Sequence, residues 1–500
     1  MRFLSFAIFG CAFLTALMAV TFTSSKPNAI DFASEGIVDL GQEIENFKET
    51  VNSPAFDAKM CVEVLSLNYR RLLQATPKNF AATQANRARF IQSGAKFVHD
   101  IFFAKLALRE RLKELEDQHR MTEACLNSAR DIYRASRVLE DIVGDAALHH
   151  PAFNEKNPPN VLVGGEPWLL LNPKFGNLQL RSGDLILSRG TAFTSAAIAR
   201  LGNSDANFSH VSMVYVDPKT HATFVSEAQI ETGSFSGPLS VYLTDGKSRA
   251  AVYRHRNPQL AALASAKIRH EILNYQLTHN GKMLPYDPSM NMKDPSRLYC
   301  AELVSHAFDL AVGGAGGVPA HLSKITPKNR TFVTRIGVKA QTAFLPMDIE
   351  IDPNFELVAE WRDYSQMNTS HMQDAVLTSM MDWMERGGYT LHDRLSSTLK
   401  TSFAYEARQW PLFSSLLEKS VPECLSSDTM SAITTLNESS QILYDALRAQ
   451  NEATLKTSGD WLTPAQMQQY LNDFRHKDFI EYRVSHGFRG PLHQVFRAGT

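Results

Sequence analysis

Three residues of this 500-residue chain have the types and settings that thiol chemistry needs: His210, Glu227 and Cys300. His210 opens the apolar run His210–Val216, a strand candidate, and Asp217-Pro218-Lys219-Thr220 follow it as turn residues. A second strand, Ala222–Ala228, then returns. A four-residue turn sets Val216 against His221, and so His210 directly opposite Glu227. Cross-strand Cβ atoms lie about 4.5–5.5 Å apart on one face. A carboxylate there can fix the imidazole tautomer and favour the charged ring, leaving the other nitrogen as a base. A slip of one residue would break the pair.

Cys300 supplies the nucleophile. It lies at the start of a helix expected over Tyr299–Val312, after the loop Asp294-Pro295-Ser296. A helix N-terminus stabilises a thiolate and lowers a thiol pKa. A neighbouring imidazole completes the ion pair used by thiol hydrolases. The first N–H groups of such a helix can also hold an oxyanion. Each residue alone has an ordinary structural explanation: a buried small cysteine, a strand-end histidine, a solvated glutamate. The expectation rests on the three together.

Other candidates carry less. Tyr286 and Tyr299 are expected to line a cleft, bind substrate or assist an oxyanion; packing explains them equally well. Asp287, Asp294 and Glu302 offer carboxylates, but a polar loop usually solvates such groups, and no metal is expected. His270-Glu271 lacks a second histidine at the spacing of a zinc protease helix, and no CxxC pair occurs. No cofactor is expected either.

These residues must be positioned by a larger chain of several regions. Lys and Arg number 51 against 52 Asp and Glu, so bulk positive charge gives no reason to expect a nucleic-acid partner. Residues 1–25 combine a basic start with an apolar run from Phe3 to Phe22. They read as an export signal or an uncleaved membrane anchor. The mature protein is therefore expected in the cell envelope or periplasm, free or tethered through its N-terminus. Cys61, Cys125, Cys300 and Cys424 could pair there in ways that spacing leaves open.

Residues 30–150 read as a helical domain. Leu108, Leu112, Leu115, Leu126, Ala129 and Tyr133 fall on one stripe, interrupted by His119 and Thr122, and are expected to form one long amphipathic helix. Arg109, Arg111, Lys113 and Arg130 are among the charged residues of the opposite face. A partner-binding coiled coil is one reading. Broken heptads favour a helical hairpin packed on its own protein. Residues 151–177 read as a linker. From Leu178 short β-type runs appear: Leu185–Ser188, Val211–Val216, Thr223–Ser226 and Ala251–Tyr253. A helix follows from Pro258. Gly313-Gly314-Ala315-Gly316-Gly317 reads as a flexible connection, and strand-like runs return at Phe332–Val338 and Phe355–Ala359. Residues 366–500 read as a C-terminal helical region without an interpretable motif.

The segments Leu180-Arg181-Ser182-Gly183-Asp184-Leu185, Phe208-Ser209-His210-Val211, Ser226-Glu227-Ala228, Pro285-Tyr286-Asp287 and Tyr299-Cys300-Ala301-Glu302 resemble, in order and spacing, the circularly permuted papain-like NlpC/P60 hydrolases. The YiiX/YaeF-like branch is the nearest in pattern. The resemblance covers about residues 178–365. It implies an α+β fold: a permuted papain-like core with an antiparallel sheet and packed helices, flanked here by N- and C-terminal helical regions. It also implies a Cys300 nucleophile, a His210 base and an orienting Glu227. The expected activity is that of an amidase, peptidase or acyltransferase on a cell-wall peptide or a lipid-linked acyl group. The rival reading is a catalytically idle binding module whose helical surfaces take an unidentified protein partner.

Overall fold

The computed structural model describes residues 40–74, 84–148, 167–202, 205–325, 330–393, 425–458, 461–462 and 464–499. The expected export segment 1–25, most of the expected linker and Cys424 lie outside them. Four helices come first: α1 (Leu40–Asn52), α2 (Ala58–Gln74), α3 (Gln84–Asp117) and α4 (Glu123–Leu148). The stripe expected on one long helix is therefore divided between α3 and α4. His119 takes a positive φ of 54° and the Arg120 N–H reaches the Leu115 carbonyl at 2.8 Å, which closes α3. Thr122 Oγ1 then accepts the Cys125 N–H at 3.2 Å and opens α4. The same six apolar residues are still buried, now across a folded-back pair. A Cys61–Cys125 disulfide joins α2 to α4.

Seven strands form one antiparallel sheet: β1 (Pro167–Leu171), β2 (Leu185–Gly190), β3 (His210–Val216), β4 (Thr223–Gln229), β5 (Gly233–Pro238), β6 (Lys247–His255) and β7 (Phe355–Asp363). Their order is β1-β7-β6-β2-β3-β4-β5. β1 lies within the expected linker; its Trp168 and Leu170 pair with Arg362 and Glu360 of β7. The linker reading fails there because a short apolar edge strand carries almost no periodicity of its own. Alternation along the strands divides the core. Leu187, Val211, Met213, Ala251 and Tyr253 face the larger cluster, whereas Ile186, Val214, Val225 and Val252 face a smaller one.

The turn into β2 is tightly built. Asp184 accepts Arg254 at 2.7 and 2.8 Å, and Ser182 Oγ bonds both backbone groups of Val216. Gly183 has φ +87°, and a Cβ there would collide with Ala261 of the following helix.

Two helices lie over β3: α6 (Pro258–Thr278), capped by the Asn257 side chain on the Leu260 N–H, and α7 (Cys300–Val312). α7 ends at Gly313, with φ 72°. The glycine cluster beyond it is packed in part, since a Cβ on Gly316 would strike the Phe308 backbone.

The strand-like run Phe332–Val338 is instead the end of a short helix, α8 (Arg330–Arg335), followed by a turn at Gly337. Short apolar, β-branched runs do not distinguish the two states. A further turn, α9 (Asp348–Ile351), precedes β7, and α10 (Tyr364–Gly387), α11 (Ser427–Ser458) and α12 (Pro464–Val484) complete the principal helices.

Two residues of the charged face, Arg109 and Arg130, are buried, whereas Glu114 and Asp117 stay exposed. Arg109 donates to the Asp352 carbonyl at 2.9 Å and also to those of Glu350 and Phe355; Arg130 meets Asp348 at 2.8 Å. Beside them, buried Lys105 lies 2.6 Å from Glu140 and 2.7 Å from Glu360, and Arg137 lies 2.9 Å from Glu360. Asp141 receives Arg249 and Arg362, each at 2.6 Å. Buried charges persist only when paired in this way. The described parts of the helical region and the sheet therefore share one core.

Candidate active site

His210 begins β3 and pairs across β2 with Ser188. Its ring is 22% exposed, whereas the Glu227 side chain is 3% exposed. The two meet at 2.8 Å between Nε2 and Oε2. The strand register differs from the expected one. Met213 pairs with Ser226 and Val216 with Thr223, and the Asp217 N–H donates to Ala222 at 2.9 Å. The turn is therefore Pro218–His221, with His221 at a φ of 59° and Asp217 Oδ1 accepting the Lys219 and Thr220 N–H groups. Extending this register puts Gln229, not Glu227, opposite His210. The offset is two residues, one full period of the strand, so Glu227 stays on the His210 face and is reached diagonally.

Cys300 occupies the first position of α7, is buried at 7% exposure, and is the free cysteine among the described residues. It lies close enough to His210 to raise the pKa of the ring. Because Nε2 is taken by Glu227, Nδ1 is the ring nitrogen left for the thiol. Burial by itself lowers the His210 pKa. The interactions with Cys300 and Glu227, and the charges of both, outweigh burial and raise it to about 10. The ring is therefore held as imidazolium through neutral pH. The first N–H groups of α7 have no carbonyl within the helix to bond, and they lie beside the thiol.

Glu302, one turn into α7, is 3% exposed and accepts the Tyr299 N–H at 3.4 Å. Burial raises its pKa to about 8; the Tyr299 hydrogen bond opposes this, and Asp287 and Asp294 add to it. Asp287 is buried, and its carboxylate holds a turn by accepting Ser289 and Asn291 N–H groups at 3.0 and 2.7 Å. Asp294 is exposed and bonds Ser296.

Cys300 lines a pocket of about 760 Å³, its open mouth included. Tyr286 and Tyr299 line it as well. The Tyr299 hydroxyl accepts the Phe344 N–H at 3.2 Å, so it fastens the segment ahead of α9 to the site. The remaining wall comes from residues that the sequence does not single out. Ile198 follows β2 on the short helix α5 (Phe193–Ile198), Ile336 follows α8, and Ile433 and Leu436 belong to α11. They are ordinary apolar residues from distant segments, and no spacing rule connects them.

Residues 179–359 match the family described as permuted papain-like amidase enzyme, YaeF/YiiX, C92 family. No curated protein and no solved structure matches the chain. The middle region is thus similar to a permuted papain-like amidase family, its antiparallel sheet and packed helices are of α+β class, and the similarity supports a cysteine hydrolase.

Proposed function

We propose that this permuted papain-like amidase domain cleaves an acyl–nitrogen bond with Cys300 as nucleophile, His210 as acid and base, and Glu227 as the residue that orients His210. The observation that carries the reading is one imidazole held by a carboxylate 2.8 Å from Nε2, with Cys300 near enough to raise the pKa of the ring. The Cys300 thiolate attacks the carbonyl carbon, and the N-terminal N–H groups of α7 receive the developing oxyanion. The C–N bond breaks as His210 gives its proton to the departing amine. A thioester on Sγ remains. His210, now neutral, takes a proton from water, hydroxide adds to the thioester, and the free acid leaves as Sγ takes back its negative charge. An acceptor alcohol or amine in place of water would give acyl transfer by the same steps.

The substrate belongs on this reading to the cell envelope, as a cell-wall peptide or a lipid-linked acyl group. Export of the protein is supported by the Cys61–Cys125 disulfide, a bond typical of oxidising compartments, and by the apolar run in residues 1–25. The test is alkylation of each cysteine followed by mass spectrometry, in native protein and in His210→Ala. Rapid labelling of Cys300 below about pH 7 that is lost in the variant is the expected result. Labelling that rises only near the ordinary thiol pKa of about 8.5 in both proteins would sink the ion pair.

A further inference from the structure

We infer that α11, outside the matched domain, completes a hydrocarbon-binding pocket for the acyl side of the scissile bond, with Ile433 and Leu436 as specificity-determining residues. The inference rests on the thiol-hydrolase reading for its choice of the acyl side. In that chemistry the acyl group stays on Cys300 Sγ through both half-reactions. A pocket that Cys300 itself lines is therefore the place where the acyl group must lie.

The character of the wall selects the occupant. Ile198, Ile336, Phe344, Leu425, Ile433 and Leu436 surround the space, and no charged residue is among its described lining residues. The polar groups there are few. Thr194 and Tyr286 carry hydroxyls, Tyr299 already uses its own on Phe344, and Cys300 Sγ is the reacting atom. Burying a peptide's amides and carboxylates against such a wall would leave them without partners, at a cost of about 5- to 150-fold in affinity per group. A hydrocarbon chain needs no partners and gains from leaving water.

The C-terminal region is thus part of the substrate site. α11 contacts both α8 and the Phe193–Ile198 helix, which carries Ile198 beside the Cys300 mouth. Leu436 is almost fully buried at 2% exposure, so its side chain is held as wall.

The experiment compares acetyl, hexanoyl and dodecanoyl amides of one fluorescent amine, using the full chain. The expected kcat/KM rises by at least about tenfold from acetyl to dodecanoyl, as methylenes entering an apolar pocket should produce. Leu436→Trp and, separately, Ile433→Trp fill the space and should lower that dodecanoyl-to-acetyl ratio about tenfold. Cys300-dependent turnover with a flat chain-length profile would overturn the pocket and leave the thiol mechanism standing. Full turnover in Cys300→Ala would overturn the mechanism instead. The pocket is then judged by binding alone: dansyl-labelled undecanoic acid should bind Cys300→Ala, and bind more weakly when either tryptophan is added. No binding, or binding unchanged by both tryptophans, would overturn the inference.

Discussion

His210 and Glu227 lie on adjacent strands two residues out of direct opposition, and their side chains still meet at 2.8 Å. The diagonal contact leaves one imidazole nitrogen bound to a buried carboxylate. Cys300 and Glu227 together keep the ring charged where burial alone would neutralise it.

Removing the Glu227 charge should therefore change the pH behaviour of the site. The His210 pKa lies above its ordinary value of about 6.5. The stabilisation from its partners is thus complete below about 6.5 and lost as pH rises through about 10. Native enzyme should keep its acid catalyst until about pH 10. Glu227→Gln should move the basic limb of kcat/KM downward and reduce turnover by at least about tenfold. A basic limb that stays in place would show that Glu227 does not orient or charge the ring.

Glu302 should make stability depend on pH in the opposite sense from an ordinary surface carboxylate. Its folded-state pKa of about 8 is above the unfolded value, so the native state binds the extra proton between the two. Stability falls as pH rises from about 4.5 to about 8. Glu302→Gln mimics the protonated form and should flatten that part of the profile. Thermal unfolding across this range reads the effect; equal slopes in native protein and variant would refute it.

The buried charge network predicts a large loss of stability. Glu360 is shared by Lys105 and Arg137, with Arg362 3.1 Å away. Glu360→Leu leaves these cations short of a partner in the core and should cost about 3–5 kcal/mol. Urea unfolding measures it. A change below about 1 kcal/mol, the range of exposed pairs, would mean that water reaches the network.

Much of the site was legible because its parts are local. A helix start at Cys300 follows from the loop before it, and a strand beginning at His210 follows from apolar residues and the turn beyond. The turn keeps its four residues but sits one position later, which moves the register by two, and the period of two kept His210 and Glu227 on one face. An odd register error would have parted them. The division of α3 from α4 was visible only as an interruption at His119 and Thr122, because the stripe continues in phase on both sides of it. Pro167–Leu171 gave too short a pattern to be told from a linker.

Residue type and local spacing by themselves brought Cys300, His210 and Glu227 forward as one group, because helix starts and strand faces are set over a few residues, while the α+β class came with the family resemblance. Tertiary structure alone decided that Lys105 and Arg137 are buried against Glu360 of β7, and that α11 lines the Cys300 pocket. Neither could be read along the chain. A charge looks solvated until its partner more than 200 residues away, as Glu360 is from Lys105, is brought beside it. An apolar helix face likewise does not state which wall it will form, since hydrophobic burial has no direction of its own.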